Sequence, residues 1–128
     1  MISAILIDGP RRSLERAIKE QDWFEGIVMG GIWLERLGYL RLKKLAQTQS
    51  VPLLKKPVYK IGLFEIMKTL HNDNILNDTQ YDIVESFIEQ RNNAVHQKET
   101  TRAFIGPEAQ KEYEPIIINV LKIVDYLM

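Results

Sequence analysis

The chain contains no cysteine, only two histidines, His71 and His96, and no uncharged apolar run of the roughly 18 residues that a membrane-spanning helix needs. Without cysteine there is no disulfide framework, no thiolate zinc site and no cysteine nucleophile. The histidines are too far apart in sequence to form the i, i+4 pair of a metalloprotease helix, so no dedicated metal site and no cofactor are expected. No glycine-rich phosphate loop follows a strand-like run. The stretch from Met1 to Ile7 lacks a basic leader and is cut off by Asp8, which fits neither a signal peptide nor a membrane anchor; the expected compartment is the cytoplasm. An excess of charge is also missing. Seventeen Lys and Arg balance seventeen Asp and Glu, so the molecule as a whole does not attract nucleic acid.

The 128 residues are 45% apolar and 27% charged, values typical of one soluble domain spanning 1–128. Charge is segregated along that domain. Between residues 36 and 60 stand Arg36, Arg41, Lys43, Lys44, Lys55, Lys56 and Lys60 with no acidic residue, whereas residues 65–89 are dominated by acids. The basic stretch reads either as a phosphate-binding face or as a solvated helix end. Glu85 and Glu89, four apart, fit a solvated helical face better than a catalytic acid pair.

Hydrophobic periodicity is helical almost throughout. Residues 1–9 end in the turn signal Asp8-Gly9-Pro10 and read as a short extended arm, followed by a first helix carrying Leu14, Ala17 and Ile18. Asp22 and Glu25 form an N-terminal capping pair for a long second helix on which Trp23, Ile27, Gly30, Leu34, Leu37 and Leu45 recur. Gly30-Gly31 inside it costs about 1 kcal/mol per glycine relative to alanine, which predicts close approach of another helix or backbone there, with a loose kink as the alternative. Trp23 and Trp33 are expected in the core or at an interface rather than as base-stacking platforms. The breakers Pro52 and Pro57 mark a linker. A third helix carries Tyr59, Leu63, Ile66, Met67 and Leu70 and ends at His71-Asn72-Asp73-Asn74, a polar loop that leaves His71 exposed. Asn77, Asp78 or Thr79 caps a fourth helix with the stripe Tyr81, Val84, Phe87, Ile88 and Val95. The last helix, over 108–128, has so broad an apolar surface that it is buried on more than one side; Pro115 either kinks it or sets its true start. The expected fold is all-α, an up-and-down bundle of four to five helices.

One constellation carries chemistry: Arg91-Asn92-Asn93-Ala94-Val95-His96 at the end of the fourth helix. An Arg followed by His after four to six residues arises by chance about 0.3 times in a chain of this composition; with Asn directly after Arg the figure drops to about 0.005. The pattern resembles the R-N-x-x-x-H form of the signature of the HEPN superfamily, small all-helical domains many of which are metal-independent ribonucleases. The specific match covers residues 84–96, and the order of helices extends the resemblance from about Leu14 to Met128. It implies a HEPN-like bundle, with Arg91, Asn92 and His96 as catalytic residues in a composite site across a homodimer. It also implies RNA as substrate and a toxin or defence role with a cognate antitoxin of nucleotidyltransferase type as partner. In one toxin subgroup a Tyr two residues past the His accepts the partner's modification; here Lys98 stands there, which speaks against that route. Glu35 is the accessory candidate, as the acidic residue of the long early helix, and Arg36, Arg41, Lys43, Lys44, Lys55 and Lys56 are the RNA-guiding candidates.

The chemistry suits those residue types. Imidazole titrates near neutrality and serves as general base or acid, while a guanidinium holds a phosphate in a fixed fork and stabilises added transition-state charge. Asn92 and His96 are i, i+4 neighbours, so the amide can orient the ring. Arg91 and His96 are five apart, about 140° around a helix, and share no narrow face. A two-fold dimer resolves this by bringing two copies of the motif to one groove, with the fourth helix at the interface. The alternative is a non-catalytic HEPN-like dimer that binds nucleotide, nucleic acid or a partner protein.

Overall fold

Local capping chemistry sets several of the helix boundaries. The computed structural model describes residues 2–96 and 104–128, without the side chains of residues 2–8, 95 and 96. Helix α1 is Ile2–Lys19, α2 Trp23–Leu45, α3 Leu63–Asn72, α4 Asp78–His96 and α5 Pro107–Leu127, with two 3-10 turns, Pro52–Lys55 and Val58–Lys60, between α2 and α3. No strand occurs among the described residues, so the all-α expectation holds. No described helix is long and apolar enough to cross a membrane.

At the α1–α2 corner, Gln21 adopts φ 57° and the Asp22 N–H bonds the Ala17 carbonyl at 2.9 Å, closing α1 with a left-handed residue. The Asp22 carboxylate then accepts the Glu25 N–H at 3.2 Å, as the capping pair predicts. Asn77 proves to be the cap of α4. Its side chain accepts the Gln80 N–H at 2.8 Å and the Gln80 side chain accepts the Asn77 N–H at 2.9 Å, a reciprocal box.

Four expectations need correction. The extended arm over 1–9 is helical from Ile2, and Pro10 lies inside α1. Proline's fixed φ is helical, so the ring costs one backbone bond without forcing a helix start. The third helix begins at Leu63 rather than Tyr59, because Gly62 is extended (φ −94°, ψ 164°) and a 3-10 turn takes up Val58–Lys60. Of the two roles open to Pro115, setting the start of α5 is excluded, since the helix opens at Pro107 after Gly106. His71 is not an exposed loop residue. It lies in the last turn of α3, half-buried.

Among the described helices, consecutive ones pack on one another, and α2 touches each of the other four. That central position explains its composition. Buried Ile27, Leu34 and Leu42 face the core beside buried Gly26, Gly30, Gly31 and Gly38. A methyl on Gly38 would stand 2.6 Å from Ile66 Cγ2 and 2.8 Å from Met67 Cε, both on α3. Close approach of neighbouring helices therefore compensates for poor helix propensity. From α5 the core receives Tyr113, Ile117, Val120, Ile123, Val124 and Leu127.

Burial, then the nearby charge of Glu112, pushes the Tyr113 hydroxyl above its ordinary 10.0. The folded state holds this proton more tightly than the unfolded chain, so the stability it contributes is present below pH 10 and is lost as pH rises through the elevated folded value. Tyr113→Phe should accordingly lose less of its melting temperature than wild type on going from neutral to strongly alkaline buffer. Equal losses in the two proteins would contradict the assignment.

Candidate functional site

The site is built on the seam between α2 and α4. Phe87 and Arg91, one turn apart on α4, present the same face to α2. A methyl on Gly30 would stand 3.2 Å from Phe87 Cζ, and one on Gly31 would stand 2.8 Å from Arg91 Nη1 and 3.0 Å from its Cδ. The glycine pair is thus the bed on which these two side chains lie. Phe87 is buried, while Arg91 is half-buried: its aliphatic stem covers Gly31. Among the described residues Arg91 has no ion pair and no hydrogen bond, which leaves its donors available to an anion.

Asn92 and Asn93 are exposed beside it, and Ala94 turns into the core. His96 is the last residue of α4; its side chain lies outside the description, as do Lys98 and its surroundings. The helical register nonetheless keeps Asn92 and His96 one turn apart. Glu35, exposed on α2, is one turn beyond Gly31 on the same ridge, about 6 Å along the axis, and forms no ion pair with Arg91. The structure therefore seats Arg91 on Gly31, with Asn92 exposed next to it on α4 and Glu35 one turn along α2 from that glycine.

The basic residues are less uniform than their run in sequence. Arg36, Lys43, Lys44, Lys55 and Lys56 are exposed, whereas Arg41 is half-buried. The Lys56 ammonium lies 3.3 Å from the Glu65 carboxylate, so the acidic segment partly neutralises this end of the face. Three cations lie over aromatic rings: Arg36 over Trp33 at 5.6 Å, Lys43 over Tyr39 at 5.8 Å and Lys60 over Tyr59 at 5.9 Å. Trp33 is a core residue as expected, and its indole nitrogen is buried with no hydrogen-bond partner among the described residues. Sequence reasoning missed Tyr39 and Tyr59. Their signal is the aromatic three or four residues from, or next to, a cation within an acid-poor segment.

A second polar cluster was also missed. The His71 ring stacks on Tyr81 at 4.3 Å with 5° between the planes, and its Nε2 is 2.8 Å from the Asp78 carboxylate. These contacts tie the end of α3 to the start of α4. Burial, then the charge and hydrogen bond of Glu85, raises the Tyr81 hydroxyl above its ordinary range. Asp78 is 96% exposed, so the pair with His71 is a solvent-screened clasp between helices rather than a recessed catalytic dyad. No group of three or more His, Asp or Glu side chains converges to hold a metal among the described residues.

Comparison of the chain with protein-family models, with curated proteins and with solved structures finds no match.

Proposed function

We propose that this chain is a metal-independent endoribonuclease of the HEPN type that works in the cytoplasm as a homodimer, in the role of a toxin or defence effector held by a cognate antitoxin. The observation that carries this reading is the seating of Arg91: a cation fixed on Gly31, unpaired among the described residues, beside exposed Asn92 and five residues before His96. A guanidinium held with its donors free is what a phosphodiester needs.

In this reaction one imidazole of His96 takes the proton of the ribose 2′-hydroxyl. The 2′-oxygen attacks phosphorus, the bond to the 5′-oxygen breaks, and the leaving oxygen takes a proton from the second copy's imidazole. The products are a 2′,3′-cyclic phosphate and a 5′-hydroxyl. Arg91 from each copy holds the nonbridging oxygens and stabilises charge developing on phosphorus. Asn92 orients the imidazole one turn away. The exposed cations of residues 36–56 steer the strand toward the seam.

The test incubates wild type, Arg91→Ala and His96→Ala with mixed cellular RNA in EDTA, with sedimentation to determine the oligomeric state. Wild type should cut and leave cyclic phosphate ends, and each variant should be slower by about 10²- to 10⁴-fold. Intact RNA with wild type, or fragments identical in all three proteins, would reject the proposal. In a growing host, induction of wild type should arrest growth and His96→Ala should relieve the arrest.

A further inference from the structure

A cleft of about 320 Å³ opens between α2, the start of α3 and the turn Val58–Lys60. Buried Ile61 and Ile66 form its floor, and Ile32, Tyr39 and Val58 form its walls. Val58 is 65% exposed, so the cleft has an open, apolar rim on that side. On the other side Glu35 and Arg36 supply an acceptor and a donor at adjacent positions. The volume is at the small end of the roughly 300–1,000 Å³ range of ligand sites, room for one planar base with part of its sugar.

Glu35 connects this cleft to the seam. Gly31, Glu35 and Tyr39 follow one another at i, i+4 and i+8, so they form one ridge of α2 about 12 Å long. Arg91 covers the first of these positions, and the last lines the cleft. The surroundings complement a polyanion: Arg36 is part of the rim, and Lys43 and Lys60 lie over the rings of Tyr39 and Tyr59, the latter residue 84% exposed. Aromatic faces alternating with cations are what single-stranded nucleic acid stacks and lies upon.

We infer that this cleft is a nucleobase pocket selective for guanine, which holds a base of the strand whose phosphate reaches Arg91. The inference rests on the ribonuclease reading and gives Glu35 a definite task. An ionised carboxylate only accepts hydrogen bonds. Guanine presents two neighbouring donors on its pairing edge, N1–H and N2–H, which a carboxylate can take together. Adenine and cytosine offer one donor beside an acceptor. Uracil sets its donor between two carbonyls that the carboxylate repels. Ile32, Val58 and Tyr39 enclose the faces of the base, and Arg36 meets the phosphate.

Calorimetric titration of the full chain with GMP, AMP, CMP and UMP tests this directly. GMP should bind about 5- to 100-fold more tightly than UMP, the discrimination one bidentate contact supplies. Glu35→Gln should bring the two nucleotides to within about twofold while its circular dichroism stays that of wild type. Tyr39→Ala should weaken all four alike. His96→Ala, which removes the proposed general base, should keep the GMP preference. Equal affinity for the four nucleotides, or a preference that survives Glu35→Gln, overturns the pocket. So does failure of every nucleotide to bind, and a Val58→Asp variant that then turns a dimer into a monomer identifies a second copy of the chain as the occupant. If RNA stays intact while GMP binds in a Glu35-dependent way, the nuclease reading falls and the pocket stands; if RNA is cut but GMP and UMP bind equally, the reverse holds.

Discussion

Replacing Gly31 by alanine should leave the fold at least as stable as wild type and remove most of the cleavage activity proposed above. Alanine is the better helix former by about 1 kcal/mol, so α2 itself gains. The new methyl, however, would stand 2.8 Å from Arg91 Nη1 and 3.0 Å from Cδ. Arg91 is half-buried against that spot, and its long side chain can swing away without disturbing the core. The guanidinium is then displaced by an ångström or more from its seat, a misplacement that costs on the order of 10²-fold in rate. Thermal melting followed by circular dichroism, together with the EDTA cleavage assay, separates the two effects. A variant that melts at or above the wild-type temperature but has lost activity supports the seat; full activity would show that Gly31 does not position Arg91 for catalysis.

Truncating Phe87 to alanine should destabilise the protein by about 3–5 kcal/mol and lower its melting temperature by on the order of 10–20 °C. The ring is 1% exposed and fills the space between α2 and α4, where a methyl on Gly30 would stand 3.2 Å from its Cζ and 3.2 Å from Val120 Cγ1 of α5. Three helices meet there. Glycine at position 30 has no side chain with which to close the void, so the full cavity cost should be felt. The double variant Gly30→Ala, Phe87→Ala should recover part of the loss by filling that space. Chemical denaturation measures both, and additive effects in the double variant would argue that the two positions do not share a cavity.

The elements that were legible share a physical basis. Asp22 caps Glu25, and Asn77 and Gln80 cap one another, within three residues of chain. The stripe from Ile27 through Leu34 to Leu42 repeats at the helical period and is buried as that period requires. The cost of Gly30-Gly31 announced a close approach without naming what approaches. Errors fell where a local signal was permissive. Pro10 and Pro115 are compatible with helix in φ, so neither marks the start of one, while Gly62, which carried no strong break in the hydrophobic pattern, delays α3 to Leu63. His71 read as a loop residue because its neighbours are polar; its stacking on Tyr81 depends on how α3 and α4 turn toward each other.

By itself, then, the sequence determined that the chain is helical, that Asp22 caps one helix and one of Asn77, Asp78 and Thr79 another, which faces are apolar, and that Arg91, Asn92 and His96 stand within two turns of one helix. Each of these follows from interactions between residues three or four apart, or from a period of 3.6 that any stretch of chain displays. The tertiary structure alone decided that Arg91 lies on Gly31, that Glu35 and Tyr39 line a cleft with Val58, Ile61 and Ile66, and that Lys56 is drawn off to Glu65. Those relations depend on the rotation and depth at which α2 meets its neighbours, and packing against four helices at once sets both.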